Sequence, residues 1–525
     1  MDTFAKDRLP PRDQWPRLHF DLPELDYPDR LNCATVLLDD AIAEGHGERP
    51  AILTEAGTIT YRELLARASR IANVLADAGV VPGNRVLLRG YNGPELYAAW
   101  LAVMKAGAIA VTTMPMLRAP ELTSIIGKAK PGFALCDQRL AGELTAVAAQ
   151  GGVGTVITWG AGDLEARMAA ASDRFSNADT AADDVCLLAF TSGTTGQPKA
   201  CMHFHRDVLA MADVVARHLL QTAPDDVYAG SPPLGFTFGL GALLVFPLRF
   251  RAATVPIEQP APAAVLAAIE RHRITCFFTA PFAYRALAGE LAGRDISSLK
   301  RCVSAGEYLP KSVSDLWFEK TGIRIIDGIG ATEMIHIFIS AAGPDIRPGS
   351  TGKALPGYRA CLLDEDGEVM LPGATGRLAV TGPTGCRYLD DERQRDYVQN
   401  GWNVTGDLYR LDEDGYFWFV ARADDMIVSA GYNIAGPEVE WALLAHPAIR
   451  ECAVIGAADA ERGMIVKACV VLAAGRAGDI ALVKELQDFV KRRIAPYKYP
   501  RVIEFLDALP KTATGKLSRK ALRNP

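Results

Sequence analysis

The chain has 525 residues with a formal net charge of −6, of which 49% are hydrophobic and 22% charged. This composition is typical of a globular protein, and the length exceeds what one ordinary core accommodates, so we expect two or more domains. The acidic balance and the lack of a basic stripe argue against nucleic-acid binding. The N-terminal segment has no signal-peptide pattern and no apolar run is long enough to span a bilayer, so we expect a cytoplasmic protein without membrane attachment.

The ten cysteines are scattered along the chain without a Cys-x-x-Cys pair. Several lie inside apolar runs such as Ile274-Thr-Cys-Phe-Phe278, where a buried reduced thiol is typical. We therefore expect a reducing compartment, with neither a zinc site nor a disulfide framework.

Helix and strand patterns alternate from about residue 59. Thr60 and Glu63 predict the capping box of an amphipathic helix that ends near Gly79. The strand Arg85–Arg89 and the helix Pro94–Lys105 follow. Further strands are predicted at 108–112, 133–136, 185–190, 274–279, 302–304 and 323–326. Such alternation predicts an α/β protein with layers of mixed and mostly parallel sheet.

The pattern changes after Asp424 to that of a compact α+β unit. Its predicted strands are 426–429, 451–455, 467–472 and 502–506, and its predicted helices are 437–446 and 481–494. About a hundred residues is an ordinary domain size. We therefore predict a large N-terminal domain (residues 1–423) and a small, mobile C-terminal domain (residues 424–525).

Hydroxyl and glycine residues are concentrated directly after the strand predicted at 185–190. Backbone N–H groups and hydroxyls in such a loop can surround a polyanion, and a lysine adds positive charge. The order of residues does not match a Walker A sequence, and a flexible surface loop is the alternative. Nine residues in this order after a buried strand favour a phosphate loop, which contains Thr191, Ser192, Gly193, Thr194, Thr195, Gly196 and Lys199.

The segment Thr191-Ser-Gly-Thr-Thr-Gly-Gln-Pro-Lys199 resembles the phosphate loop of the acyl-adenylate-forming superfamily. That superfamily comprises acyl- and aryl-CoA ligases, peptide-synthetase adenylation domains and firefly-type luciferases. The resemblance covers the chain from about residue 30 to the C-terminus. It implies an enzyme that activates a carboxylate with ATP as an acyl-adenylate and then transfers the acyl group to coenzyme A.

The segment Asp327-Gly-Ile-Gly-Ala-Thr-Glu333 resembles the second nucleotide segment of this superfamily. The resemblance implies that Thr332 contacts the α-phosphate and that Glu333 binds Mg²⁺, roles that suit a hydroxyl and a hard anionic ligand. Ile329 stands where the family often has an aromatic residue, so we expect weaker stacking on adenine. The residues implied around the nucleotide are Asp327, Gly328, Ile329 and Gly330.

Two further segments are implied to complete the nucleotide site. The first, similar to the family's wall between adenine and acyl pocket, contains Ser304, Ala305, Gly306 and Glu307. The second is Thr405-Gly-Asp407, which alone is a common turn but matches the family's ribose motif. There the Asp407 carboxylate would accept hydrogen bonds from the ribose hydroxyls, with Arg422 beside it.

Three C-terminal residues match positions with roles in the two reaction steps. Lys516, in Pro510-Lys-Thr-Ala-Thr-Gly-Lys-Leu-Ser-Arg519, matches the lysine that stabilises the negative charge developing during adenylation. Asp424 matches the hinge between the domains. Gly431 matches the loop that lines the CoA tunnel, where glycine lets the pantetheine arm approach the backbone.

The segment Ser231-Pro-Pro-Leu-Gly-Phe-Thr-Phe-Gly239 resembles the family's acyl-pocket segment. It has no carboxylate, so an α-amino acid would bury an unpaired ammonium group at high cost. Two phenylalanines beside a glycine suit a flat aromatic ring. The predicted pocket residues are Phe236, Thr237, Phe238, Gly239, Gly306, Gly330, His336 and Ile337.

Three motifs together most closely resemble those of benzoate- and 2-aminobenzoate-CoA ligases: Met202–Arg206, Thr332–Phe338 and Pro496–Phe505. The first of these and the run Gly235-Phe-Thr-Phe-Gly-Leu-Gly241 favour 2-aminobenzoate, with benzoate as the alternative. We expect the enzyme to use a small aromatic acid, ATP with Mg²⁺ and coenzyme A, as a monomer or homodimer.

Two other functions fit parts of the pattern. A carrier-loading adenylation protein would form the same adenylate but transfer it to a phosphopantetheinyl domain, although no such domain is expected after Lys516. A non-catalytic nucleotide-binding regulator would share the fold, but every expected catalytic position is occupied.

Overall fold

The computed structural model describes residues 1–148, 152–191, 198–429, 432–459, 462–512 and 516–523, with only the backbone at positions 424, 433 and 463. Within these ranges the strands form four sheets that combine parallel and antiparallel pairing with packed helices. The predicted α/β class is confirmed. Among the described residues, no helix has the length and apolar character needed to cross a bilayer.

In a six-stranded sheet, the predicted phosphate loop connects the last two strands at one edge. Its first five strands are parallel, and the sixth pairs antiparallel with the fifth. In spatial order the strands are Thr155–Trp159, Phe133–Asp137, Arg85–Arg89, Ile109–Thr113, Val185–Thr191 and Lys199–Phe204. The strand Arg85–Arg89 is buried throughout, as is typical of parallel sheets covered on both faces.

A nine-stranded sheet carries the second nucleotide segment. Its strands are, in spatial order, Lys353–Ala354, Ile337–Ser340, Ile325–Gly330, Arg301–Ala305, Cys276–Thr279, Val227–Gly230, Ala253–Val255, Pro50–Thr54 and Gly57–Thr60. The six strands from Ile325–Gly330 to Pro50–Thr54 are parallel, and the outer pairs are antiparallel. The carboxyl ends of the parallel strands share one edge, where open α/β sheets bind ligands.

The other two sheets are smaller. One is antiparallel and consists of Arg359–Leu363, Thr375–Thr381, Val398–Gln399, Trp402–Leu411 and Phe417–Arg422. None of these strands is predicted from the sequence. The other consists of Ile427–Ser429, Tyr432–Ile434, Ile449–Asp459, Gly463–Leu472 and Val502–Phe505, in agreement with the α+β pattern predicted after Asp424. The domain boundary at that residue stays a prediction.

The helices follow the apolar periodicity of the sequence. Thr60 and Glu63 form the predicted reciprocal capping box at the start of the longest one. The main helices are Tyr61–Asp77, Pro94–Lys105, Ala119–Ala129, Ala141–Ala148, Leu164–Ala170, His205–Met211, Ala212–Leu219, Pro262–His272, Pro281–Gly289, Lys311–Thr321, Gly436–Leu444 and Ile480–Arg493. A further helical run comprises Thr237–Leu240, Gly241–Val245 and Phe246–Arg249.

One hydrophobic core joins the two large sheets. It includes Val86 of the six-stranded sheet, Phe278 and Val303 of the nine-stranded sheet, and the helix Pro94–Lys105, which is buried from Leu96 onward. Burial of this kind stabilises by about 25 cal/mol per Å² of apolar surface removed from water. The segments at the edges of both sheets are therefore fixed relative to one another by shared packing.

Candidate functional site

Adjacent strand ends bring two predicted nucleotide segments together. The strands Arg301–Ala305 and Ile325–Gly330 are parallel neighbours, with Ser304 opposite Asp327 and Ala305 opposite Gly328. Both segments therefore leave the sheet at the same edge. Ile329 pairs with Ile339 on the next strand and is half-buried.

The two ends of the predicted phosphate loop are cross-strand partners. Thr191 pairs with Lys199 in the antiparallel hairpin of Val185–Thr191 and Lys199–Phe204. The Lys199 ammonium donates a hydrogen bond to the Tyr388 hydroxyl at 3.2 Å. The other predicted loop residues lie outside the described ranges: Ser192, Gly193, Thr194, Thr195 and Gly196.

Thr332 and Glu333 lie in a buried turn directly after the strand Ile325–Gly330. The Thr332 carbonyl oxygen lies 2.8 Å from Nε2 of His203, and because a carbonyl only accepts, Nε2 is the donor. On the other side, the Tyr388 hydroxyl donates to a carboxylate oxygen of Glu333. These two hydrogen bonds hold the turn at its backbone and at the carboxylate of Glu333.

Behind this turn lies a fully buried polar network. Nη1 of Arg387 lies 2.8 Å from Oδ2 of Asp207, and Nδ1 of His203 lies 3.7 Å from the same oxygen. The Arg387 guanidinium also lies 4.0 Å from the centroid of the Phe204 ring. Burial alone would raise the pKa of Asp207, but the positive charge of Arg387 and the nearby His203 outweigh it and lower the pKa to about 2. The network therefore holds a permanent ion pair in the interior.

These contacts give a role to the motif Met202–Arg206, which the sequence analysis connected with 2-aminobenzoate. His203 supports the Thr332 backbone. His205 is buried, and its Nδ1 lies 3.2 Å from both the backbone nitrogen and Sγ of Cys33. His203 therefore contacts the nucleotide segment, and His205 contacts the core. The connection of the motif with one particular acid rests on family resemblance.

Lys516 approaches the wall segment. Its Nζ lies 5.0 Å from the centroid of the Phe236 ring, and a Cβ built on Gly306 would lie 3.6 Å from its Cε. Gly306 has φ +90°, a conformation that glycine adopts without strain. The neighbouring Leu517 backbone N–H donates to the Glu307 carboxylate at 3.1 Å. The C-terminal segment thus lies against both the predicted nucleotide wall and the predicted acyl pocket.

Burial shifts the titration of both charged groups at this contact. It lowers the pKa of Lys516, against the favourable charge of Glu307, and it raises the pKa of Glu307. A lysine in such surroundings is poorly hydrated, so an additional anion next to it would be bound strongly.

Asp407 and Arg422 are cross-strand partners in the antiparallel sheet. Nη1 of Arg422 lies 3.0 Å from the Asp407 carboxylate and 3.2 Å from the Thr405 carbonyl oxygen. Both charges also act on the titration of Lys516, so the predicted ribose pair and the predicted adenylation lysine lie in one site. The side chain of Asp424 and all of Gly431 lie outside what the structure describes.

An aromatic cluster includes residues of the predicted acyl pocket. The His336 ring lies 5.5 Å from the Phe238 ring and 4.6 Å from the Phe246 ring, measured between centroids. Its Nε2 lies 3.4 Å from the Phe238 carbonyl oxygen, and among the described residues its buried Nδ1 has no hydrogen-bond partner. Burial lowers the pKa of His336 to about 3, which keeps the ring neutral.

Backbone closely approaches this cluster at several glycines. A Cβ on Gly239 would lie 2.2 Å from the Pro233 carbonyl oxygen, and one on Gly330 would lie 2.8 Å from the His336 backbone. Thr237 is buried, and the Ile337 side chain packs against Gly328. Only glycine fits such positions without displacement of the backbone.

Two tyrosines at the site were missed by the sequence analysis. Tyr388 bonds both Lys199 and Glu333, as described above. Tyr308 follows Glu307 directly and stacks on Phe419 with ring centroids 5.4 Å apart. Burial and the nearby Asp327 raise the pKa of Tyr308 to about 12. A single tyrosine in an otherwise ordinary segment carries no sequence signal for either contact.

Comparison with known proteins identifies similar sequences and structures. The AMP-binding enzyme family matches residues 39–387, and the AMP-binding enzyme C-terminal domain matches residues 438–516. The benzoate–CoA ligase of Thauera aromatica is 36% identical over 96% of this chain and 97% of its own length.

Two solved structures are also similar. An anthranilate CoA ligase, AuaEII, in complex with anthranoyl-AMP has a TM-score of 0.91 and 33% identity, with 96% of this chain and 98% of that chain covered. A benzoate CoA ligase from Burkholderia xenovorans LB400 has a TM-score of 0.86 and 31% identity, with 94% of this chain and all of that chain covered.

The buried ion pair behind Thr332 generates a stability prediction. Arg387→Met leaves the Asp207 carboxylate buried without its cation, which should lower the free energy of unfolding at pH 7 by about 3–5 kcal/mol. Because folding lowers the pKa of Asp207, its contribution is present above the ordinary aspartate value near 3.9 and is lost as the pH falls toward 2. The wild type should therefore lose stability in that window more steeply than the variant.

Denaturant titrations at pH 7 and at several acidic pH values measure both effects. The double variant Asp207→Asn/Arg387→Met removes both charges and should recover a large part of the loss at pH 7. A loss below 1 kcal/mol for Arg387→Met would contradict the role given to the ion pair.

Proposed function

The chain belongs to the AMP-binding enzyme family, and from this premise we propose that it joins 2-aminobenzoate to coenzyme A. The protein is an AMP-forming acid–thiol ligase of the aryl-CoA ligase branch, with ATP and coenzyme A as its substrates. The choice of 2-aminobenzoate rests on one observation above all. The aromatic cluster surrounds a neutral histidine, His336, that has a buried ring nitrogen without a partner among the described residues.

An amino group on the ring of the acid would suit this nitrogen. With Nε2 of His336 turned toward the Phe238 carbonyl, Nδ1 carries a lone pair and can accept a hydrogen bond. The amino group of 2-aminobenzoate is neutral at pH 7 and can donate one. It therefore needs no carboxylate, which agrees with the absence of Asp and Glu from Ser231–Gly239. Phe238 and Phe246 supply the apolar walls for the ring.

In the first step the acid's carboxylate attacks the α-phosphorus of ATP, and pyrophosphate leaves. We assign Lys199 and the hydroxyls of the phosphate loop to the phosphate groups, and Thr332 to the α-phosphate. Asp327 and the wall segment would contact adenine, and Asp407 with Arg422 the ribose. Each assignment places a hydrogen-bond donor on an oxygen that carries charge, or an acceptor on a hydroxyl or amino group.

The residues present fit a magnesium ion held together with ATP. Mg²⁺ in nucleotide sites takes one or two carboxylates and completes its shell with phosphate oxygens and water. Glu333 provides one buried carboxylate, of which one oxygen accepts from Tyr388. When bound, the ion would neutralise charge on the phosphates and so assist departure of pyrophosphate.

Lys516 is assigned to the negative charge that develops between carboxylate and α-phosphate. Its poorly hydrated ammonium makes that interaction strong, up to about 4 kcal/mol at an effective dielectric constant near 20. For the second step, the attack of the CoA thiol on the adenylate, we propose that the C-terminal domain turns about Asp424 and presents the loop that contains Gly431.

The assignment of Lys516 predicts a separation of the two steps. Lys516→Ala should slow adenylate formation by about 10²–10³, while conversion of supplied aryl-adenylate and CoA to thioester stays near the wild-type rate. Because the required ammonium form is lost above its pKa, and burial lowers that pKa, wild-type adenylation should also decline toward alkaline pH earlier than an ordinary lysine would require. Pyrophosphate release and single-turnover thioester formation measure the two steps.

Lys520→Ala is the matched control, because Lys520 is an exposed lysine of the same terminal segment. It should leave both steps unchanged. Equal losses in both steps for Lys516→Ala would exclude the proposed division of labour.

The assignment of His336 predicts the choice of acid. The wild type should use 2-aminobenzoate with a kcat/KM about tenfold above that for benzoate, which corresponds to one hydrogen bond of about 1.4 kcal/mol. His336→Leu keeps the pocket apolar but removes the acceptor, so it should abolish this preference and leave benzoate activity largely intact. Thioester formation is measured with 2-aminobenzoate, 2-hydroxybenzoate, benzoate, hexanoate and palmitate.

Three other results of this screen are informative. If benzoate is the best substrate of the wild type, the specificity is that of the alternative within the same mechanism. A preference for hexanoate or palmitate would overturn the aromatic assignment for this pocket. An unchanged preference in His336→Leu would show that another group binds the amino substituent.

A further inference from the structure

Tyr388 lies between the two charged groups that the proposed function assigns to MgATP. Its hydroxyl oxygen lies 3.2 Å from Nζ of Lys199 and is hydrogen-bonded to Oε1 of Glu333. The same ammonium lies 4.9 Å from the centroid of the Tyr388 ring. Among the described residues, no direct ion pair joins Lys199 to Glu333. One phenol oxygen therefore separates the cation from the carboxylate.

The chemistry of the three groups fixes the direction of both hydrogen bonds. An ammonium group only donates and an ionised carboxylate only accepts, so the phenol accepts from Lys199 and donates to Glu333. The phenol consequently serves both neighbours at once.

The ring of Tyr388 is held in place by contacts away from the charges. Tyr388 forms an antiparallel bridge with Cys201, which lies on the strand that begins with Lys199. The Tyr388 backbone N–H donates to the side-chain oxygen of Gln394 at 2.8 Å. The Tyr397 ring packs edge-on against it with centroids 5.9 Å apart. With only 1% of its surface exposed, the side chain is fixed before any ligand binds.

Without this spacer, Lys199 and Glu333 would attract each other directly. Two opposite charges in a poorly hydrated site pair strongly, and such a pair has to be broken before either partner can bind a ligand. The cation would then be unavailable to phosphate, and the carboxylate to a metal ion.

We propose that Tyr388 is a positioning residue that holds Lys199 one hydroxyl away from Glu333 and so keeps both charges available for MgATP. This role rests on the proposed function, which assigns the two charged residues to phosphate and metal. It goes beyond that function, because Tyr388 has to keep Lys199 and Glu333 apart in the ATP-free protein, before the nucleotide binds.

Equilibrium binding of MgATP, measured by titration calorimetry on the full chain, tests the proposal. Tyr388→Phe removes the hydroxyl and keeps the ring, so it should weaken MgATP binding by about tenfold to a hundredfold, the range for a hydrogen bond to a charged group. Thioester formation from supplied aryl-adenylate should keep its wild-type rate. Tyr397→Phe is the matched control, since the Tyr397 hydroxyl is also buried and has no partner among the described residues.

A double-mutant cycle distinguishes spacing from a purely structural role. Lys199→Met removes the cation and weakens MgATP binding by itself. In that background the carboxylate has no competing partner, so adding Tyr388→Phe should cost less than about threefold. If the tyrosine supports only the fold or only Glu333, the loss should be the same with and without Lys199.

The proposal is overturned by MgATP affinity within twofold of wild type in Tyr388→Phe, by an equal loss in Tyr397→Phe, or by full additivity with Lys199→Met. Failure of the proposed function would give a different experimental result. A wild type that forms no aryl-CoA with any acid of the panel, yet binds MgATP in a Tyr388-dependent way, would remove the substrate assignment and retain the spacing role.

Discussion

Backbone pairing between Lys199–Phe204 and the segment 386–389 determines how the site is assembled. The Met202 N–H donates to the Arg387 carbonyl, the Leu389 N–H donates to the Ala200 carbonyl, and Cys201 lies opposite Tyr388. Successive residues of an extended segment point to opposite sides. One side chain of the segment therefore reaches Asp207 in the core, while the next reaches Glu333 in the site. A single register thus couples the interior ion pair to the groups expected to bind the nucleotide.

The desolvation of the site affects its charged and neutral groups in different ways. It lowers the pKa of Lys516 and that of His336, and it raises the pKa of Asp327 to about 8. In the lysine, the cost of burial is balanced in part by nearby carboxylates. Among the residues that the structure describes, no carboxylate offsets the burial of His336, and its ring stays neutral. The same physical effect therefore leaves a poorly hydrated cation at one position and a neutral ring at another.

Much of the fold could be predicted because its signals are local. The capping box at Thr60, the apolar face of the helix it starts and the buried strands of the parallel sheets are all visible in short windows of sequence. The antiparallel strands between residues 359 and 422 were missed. Strand signals are weaker there, since pairing with distant segments decides which residues are extended.

The candidate site likewise combines features that have a local sequence signal with contacts between distant segments that have none. Glycine, hydroxyl and charged residues in a fixed order pointed to the nucleotide segments, aided by family resemblance. Tyr388 and His203 act over separations of 55 and 129 residues from their partners in the turn, and neither contact has a local signal. By resemblance the motif Met202–Arg206 favours 2-aminobenzoate, and in the structure its histidines contact the turn and the core. Long-range pairing, which the sequence alone does not reveal, is the reason for each difference.

The close approach of backbone at Gly239 and Gly330 also bears on how such a pocket can diversify. A side chain at either position would collide with a carbonyl oxygen or main-chain carbon. In the proposed acyl pocket, single substitutions are thus tolerated more readily at side-chain-bearing positions such as Phe238 and His336 than at these two glycines. If the proposed pocket changed its acid specificity during evolution, we expect the exchanges at those side chains, while Gly239 and Gly330 stay constant.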